Sequence, residues 1–78
     1  PPLCPDFVIE LRSESDRLRS LQEKMQEYLI SGLRLGWLIN PQDQTVEIYR
    51  PNQEVEIINL PTTLSGDDVL PGFTLNIY

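Results

Sequence analysis

Two side chains in this sequence could do chemistry together. Glu10 interrupts the apolar run Phe7-Val8-Ile9-Glu10-Leu11, and Lys24, the only lysine, follows beside an apolar stripe. A carboxylate inside an apolar run is costly to desolvate unless it is paired or holds a cation. Mg2+ prefers oxygen donors and usually takes one or two carboxylates, with water completing its shell. A lysine ammonium can stabilise the negative charge that develops during phosphoryl chemistry, or orient an attacking water. A strand carboxylate and a helix lysine therefore suit half of a metal-dependent phosphodiester-cleaving site. They suit a plain salt bridge just as well, and Glu10 could instead face solvent or pair with Arg12 or Arg17. Residue types and spacing leave these readings open.

The other candidates are weaker. Asp6 shares strand parity with Glu10, so both point to one face, but they stand roughly 13 Å apart at about 3.3 Å per residue. One ion with bonds near 2 Å cannot bridge that gap, so Asp6 reads as an exposed acid at the strand entry. Asp67-Asp68 follows Gly66 in a Ser-Gly-Asp-Asp stretch, where Asp and Gly supply turn hydrogen bonds. Gln22 lies across the stripe from Lys24 as a polar flank. Tyr28 and Trp37 read as core. Cys4, the only cysteine, cannot form an internal disulfide or a structural zinc site and reads as a small buried apolar residue. Histidine is absent, which removes the commonest general base near neutral pH. No glycine-rich phosphate loop, CxxC or HExxH pattern occurs.

The elements that must position Glu10 and Lys24 can be read in turn. Pro1 to Pro5 holds three prolines and reads as an extended lead-in. Phe7 to Leu11 is a strand, nearly all apolar, as in a parallel sheet covered on both faces. Ser13 with Asp16 predicts an acidic capping box, with acids in the first turn of the following helix. That helix is expected to run to about Ser31 and stop at Gly32. Leu18, Leu21, Met25, Tyr28 and Leu29 form its apolar face. Lys24 lies about 90° from the centre of that face, at roughly 100° per residue. Its stem can lie on the sheet while its amine reaches the rim.

Leu35 to Ile39 is the second strand, and a crossover of this length makes a right-handed βαβ unit with parallel strands. Asn40 to Gln44 turns into a third strand over Val46 to Tyr49, antiparallel to the second. Pro51-Asn52-Gln53 turns again before a fourth strand over Val55 to Ile58. Pro61 to Gly72 reads as a loop and Phe73 to Tyr78 as a final strand. The fold class is α/β, a mixed sheet with a βαβ unit followed by antiparallel strands. One helix covers one sheet face, so the other face is expected to need cover from further residues or a second copy.

With 78 residues the chain has room for one small domain. Net charge is −6, and it is uneven. Residues 1–40 carry five basic against six acidic side chains, while residues 41–78 carry Arg50 alone against six acids. A chain-wide basic footprint for nucleic acid is thus missing. Arg12, Arg17, Arg19, Lys24 and Arg34 do gather in one strand–helix unit, either as a local phosphate-facing patch or as a solvated face paired with Glu23 and Glu27. No apolar run approaches a membrane span, and no basic-then-apolar leader occurs. The expected location is the cytoplasm, without a membrane partner. The chain opens on proline rather than methionine, and the expectation is a fragment or a processed product.

The segments PDFVIELRSESDRL, LQEKMQEYL, SGLRLGWLINPQDQTVEIYRP and SGDDVLPGF, in that order, resemble the bacterial "putative restriction endonuclease" family of the PD-(D/E)XK nuclease superfamily. The resemblance covers nearly the whole chain. It implies a restriction-endonuclease-like fold and a metal-dependent endonuclease that hydrolyses DNA phosphodiesters with Mg2+ or Mn2+. By position, Glu10 corresponds to the family's metal-binding acid and Lys24 to a lysine supplied by the helix. The superfamily pattern would put a lysine two residues after the acid, where this chain has Arg12, so the lysine role moves to Lys24. Family members carry a further Pro-Asp segment upstream, whose aspartate shares the metal. Residues 1–78 are therefore expected to form a partial nuclease-like domain without the family's N-terminal strands, with DNA as partner in the full-length form. The alternative is an inactive remnant that serves as a folding, dimerisation or partner-binding module.

Overall fold

A computed structural model of the chain describes residues 4–78. Its elements run β1 (Phe7–Leu11), α1 (Leu18–Ile30), β2 (Leu35–Asn40), β3 (Thr45–Tyr49), β4 (Glu56–Asn59), β5 (Thr62–Ser65) and β6 (Thr74–Ile77). The first four strands make one mixed sheet in the order β1-β2-β3-β4. β1 and β2 are parallel, joined through α1, and β2, β3 and β4 are antiparallel neighbours. β5 and β6 pair antiparallel as a separate two-stranded sheet. The lead-in expected over Pro1 to Pro5 falls largely outside the described residues.

Register places residues into rows that cross the sheet. Glu10, Leu38, Glu47 and Ile57 form one row, and Ile9, Trp37, Ile48 and Glu56 form the next. Side chains alternate between faces along each strand. The row through Glu10 therefore faces α1, and the row through Ile9 faces away from it.

On the α1 side, Leu21, Met25, Leu33, Leu38 and Tyr49 form a buried cluster. Val8, Leu18, Tyr28 and Leu29 pack against it, so the expected apolar stripe is the face that α1 presents to the sheet. Gly36 lets the helix come close, because a Cβ there would stand 2.5 Å from Met25 Cε and 2.8 Å from Leu33 Cδ2. Cys4 is half-buried against the same cluster, and its thiol donates to the Tyr28 carbonyl at 3.4 Å.

The helix stop follows the expectation and its start does not. Gly32 has a φ of 112°, a left-handed conformation that glycine adopts freely. Its N–H donates to the Leu29 carbonyl and the Leu33 N–H to the Tyr28 carbonyl, the pairing of a Schellman end. At the other end, Arg17 stands at the cap position without a side-chain cap bond, and the first turn holds no acid. Asp16 instead accepts from the Ser13 N–H at 3.0 Å and from its hydroxyl at 2.8 Å. The Ser13–Asp16 pair closes its own turn ahead of the helix, because these side chains bond their local backbone as readily outside a helix as at its cap.

The opposite sheet face corrects a larger expectation. This chain's own β5–β6 hairpin packs on it, while Ile9 and Leu11 at its β1 edge stay 42% and 63% exposed. Leu35, Trp37, Val46, Ile48 and Leu64 are buried together there, with Phe7, Ile58, Val69, Leu75 and Ile77 packed around them. Trp37 meets Phe7 edge-on at 4.8 Å and stacks on Phe73 at 6.3 Å between ring centres. The stretch 61–72, expected as a loop, contains β5, whose Leu64 is buried between its exposed neighbours Thr63 and Ser65. No helix among the described residues is long and apolar enough to cross a membrane.

Candidate active site

β1 and α1 bring Glu10 and Lys24 together. Lys24 Nζ lies 3.2 Å from Glu10 Oε2. Glu10 occupies the outer end of the Glu10–Leu38–Glu47 row, and Lys24 hangs from the flank of α1 above it. The Glu10 side chain is 19% exposed and that of Lys24 is 49% exposed, so the pair sits at the rim and not in the core. The hydrogen bond to Glu10, then its charge, raises the Lys24 ammonium above the ordinary lysine range. Asp16 and Tyr28 add smaller contributions in the same direction. The Tyr28 ring centre lies 6.0 Å from Nζ. Glu10 is thus paired with the lysine and not with Arg12 or Arg17, and the contact is a salt bridge whatever else it does.

Arg12 is turned inward and engaged. Its Nη1 donates to Asn40 Oδ1 at 3.2 Å, its Nε donates to the Asp16 carbonyl at 3.3 Å, and Asp43 Oδ2 lies 3.7 Å from Nη1. It ties the end of β1 to the start of α1 and to the β2–β3 turn. Asp6 contributes its backbone carbonyl, which accepts from the Arg34 and Leu35 N–H groups, while its side chain is exposed. The basic side chains therefore do not make one face. Lys24 and Arg12 are committed as described, and Arg19 makes the expected helix pair with Glu23 at 3.9 Å.

Asp67 behaves as turn chemistry predicts. It has a φ of 52°, and its N–H donates to Ser65 Oγ at 3.1 Å. Its carboxylate also clasps Arg50, which Glu56 holds from the other side, both at 2.9 Å. These two bonds raise the Arg50 guanidinium above its already high ordinary value. An open cleft of about 540 Å³ beside them includes Arg34 and Asp68 in its lining. Neither Glu10 nor Lys24 lines it, and its Arg50 is already paired with Asp67 and Glu56.

One functional-looking group escaped sequence reasoning. Glu47 on β3 is only 4% exposed. Gln22 Nε2 donates to both of its oxygens, at 3.0 and 3.2 Å, and the Tyr49 hydroxyl donates to Oε1 at 2.7 Å. Burial, then the bond to Glu47, pushes the Tyr49 phenol far above the usual tyrosine range, so it stays a donor. The signal was available: Glu47 shares strand parity with Tyr49 and stands opposite Leu38, on the face that α1 covers.

The side chains fit a hard cation only in part. Among the described residues no group of three or more His, Cys, Asp or Glu side chains is placed to hold one metal ion. Glu47 is separated from Glu10 by a whole strand, about 10 Å at roughly 4.8 Å per strand. Glu10 fits as one carboxylate of a cation shell.

Comparison with known proteins bears on this geometry. A solved structure described as "Crystal structure of a putative nuclease belonging to DUF820", from Anabaena variabilis ATCC 29413, matches with a TM-score of 0.71 and 37% identity over 77% of this chain. The fold is accordingly a nuclease-like mixed α/β architecture. The chain belongs to the Uma2 family, described as "Putative restriction endonuclease", whose model matches residues 1–78. It spans 34% of the length of the Anabaena protein. No curated protein matches.

Proposed function

We propose that the chain contributes to a metal-dependent endonuclease that hydrolyses DNA phosphodiester bonds, with Glu10 and Lys24 as its share of the active site. The observation that carries this reading is the 3.2 Å contact between the two groups, at the positions that the family pattern marks, on the helix-covered face of a nuclease-like sheet. Glu10 supplies one carboxylate toward Mg2+ or Mn2+. The partner ligand is the aspartate of the Pro-Asp segment that the family pattern places ahead of this stretch. A bound divalent cation would supply Lewis acidity and a more acidic water. Lys24, half in solvent, can turn its ammonium from Glu10 to a phosphate oxygen and stabilise the charge that develops there. Its pairing with Glu10 keeps it protonated for that role.

The test is plasmid cleavage by the full-length gene product with Mg2+ or Mn2+. Glu10→Ala and Lys24→Ala should each abolish cutting while the fold, followed by circular dichroism, is retained. Unchanged activity in both variants would refute the assignment.

An alternative reading for residues 1–78 is favoured by the lack, among the described residues, of any group of three or more His, Cys, Asp or Glu side chains placed to hold one metal ion. On that reading the segment folds and binds a partner without cutting. EDTA-sensitive cleavage by the pure 78-residue chain would overturn it.

A further inference from the structure

Glu47 is an odd residue to find buried. A carboxylate there gains nothing in stability over an apolar side chain of similar volume, because desolvation offsets its bonds. Ile or Leu at this position would simply extend the cluster around Leu38. Its partners show what the carboxylate adds, since Gln22 of α1 reaches both of its oxygens. Tyr49, from the same strand, holds it in place at 2.7 Å.

The two flanks of α1 are thus fixed to the same row of the sheet. Taking roughly 100° per residue, Lys24 lies about 90° to one side of the apolar stripe and Gln22 about 70° to the other. Below them Glu10 and Glu47 stand either side of Leu38, about 10 Å apart at roughly 4.8 Å per strand. That span is close to the width of a helix with its side chains, about 10 Å. The helix sits astride Leu38, with one polar arm down each side.

The apolar stripe Leu18, Leu21, Met25, Tyr28 and Leu29 seats α1 on the sheet, and the two polar arms add directional bonds to that non-directional packing. Met25 of the helix is fully buried and Leu21 is 9% exposed. Met25 rests over Gly36, which offers no side chain to interlock with it. A roll of about 20° moves a side-chain tip at roughly 5–6 Å from the axis by about 2 Å. That displacement would break the 3.2 Å contact between Lys24 and Glu10.

We propose that the Gln22–Glu47 contact is a positioning device: it sets the roll of α1 and thereby holds Lys24 against Glu10. This rests on the reading of Lys24 and Glu10 as the working pair. Gln22 and Glu47 touch neither substrate nor cation; they act through the helix.

Because Lys24 is the only lysine, its position can be read by chemistry. A carbodiimide joins a carboxylate to an amine only at contact distance, so a Lys24–Glu10 link identified by peptide mass spectrometry reports the pair directly. Gln22→Met keeps the volume and helix preference of the side chain but removes the donor. It should lower the yield of this link severalfold at unchanged circular dichroism, with residual product shifting to Asp16. Ile48→Val, a packing defect on the opposite sheet face, should leave the yield unchanged. A wild-type yield in Gln22→Met would overturn the positioning role and leave the pair standing. Absence of the link from the wild-type chain would instead remove the pair itself. In the full-length nuclease, Gln22→Met should lower kcat without raising KM, and a kcat equal to wild type would also overturn the proposal.

Discussion

The two faces of the four-stranded sheet are built to different rules. Under α1, the row Glu10–Leu38–Glu47 sets two carboxylates either side of one leucine. Under the β5–β6 hairpin, the row Ile9–Trp37–Ile48 is apolar until it reaches Glu56 on the edge strand. The hairpin face does what a core does, removing Trp37, Val46, Ile48 and Leu64 from water. The helix face mixes that task with polar pairs, which apolar residues would replace at no cost to stability. Both faces therefore bury a core, and only the helix face sets buried or rim polar pairs into it.

The largest expected effect lies on the hairpin face. Trp37→Ala would remove the ring that both Phe7 and Phe73 contact and should cost about 3–5 kcal/mol. That is a large share of a typical total of about 5–15 kcal/mol, and the urea midpoint should fall steeply. A loss no larger than that of a surface substitution would mean that the hairpin does not seal this face.

On the helix face, Tyr49→Phe leaves the buried Glu47 without one donor and should cost about 1–3 kcal/mol. Ile48→Val, its immediate neighbour on the opposite face, should cost about 0.5–1.5 kcal/mol. Equal and small losses in the pair would erase the distinction between the faces.

A third substitution sharpens the comparison at the rim. Lys24→Met should change stability by about 1 kcal/mol or less, as expected of a half-exposed ion pair, yet abolish the cleavage proposed for the full-length protein. A large stability loss with activity kept would make the pair structural.

The smallest effect is a dependence on pH. The Ser13 backbone N–H, then its hydroxyl, holds the Asp16 carboxyl below its usual 3.8. A carboxyl lowered by folding adds stability above its unfolded value and loses that contribution as pH falls through the folded one. Ser13→Ala should therefore be slightly less stable than wild type near neutral pH. The gap should close well below pH 3.8. Urea midpoints at the two pH values measure it, and a gap that persists in acid would show that the turn is not held by the Asp16 carboxylate.

Much of the helix face was legible from local pattern. The stripe Leu18, Leu21, Met25, Tyr28 and Leu29, the stop at Gly32 and the reach of Lys24 toward the sheet all follow from 3.6-residue periodicity and glycine's freedom at positive φ. The parallel pairing of β1 with β2 follows from the crossover length. The hairpin face was less legible. Thr62 to Ser65 has a single apolar residue, Leu64, and becomes a strand only by pairing with Thr74 to Ile77. The helix start was misread because Ser13 and Asp16 satisfy a turn and a cap with the same atoms.

The candidate site divides in the same way as the fold. By itself the sequence determined that Glu10 lies in a strand and that Lys24 flanks a helix. Those are statements about residue type and short-range period, which the chain encodes locally. Only the tertiary structure decided that Glu10 pairs with Lys24 instead of an arginine, that Glu47 is buried under Gln22, and that the chain's own hairpin packs on the far sheet face. Each of these joins residues far apart in sequence, and such contacts depend on the stacking of whole layers, which no local pattern specifies.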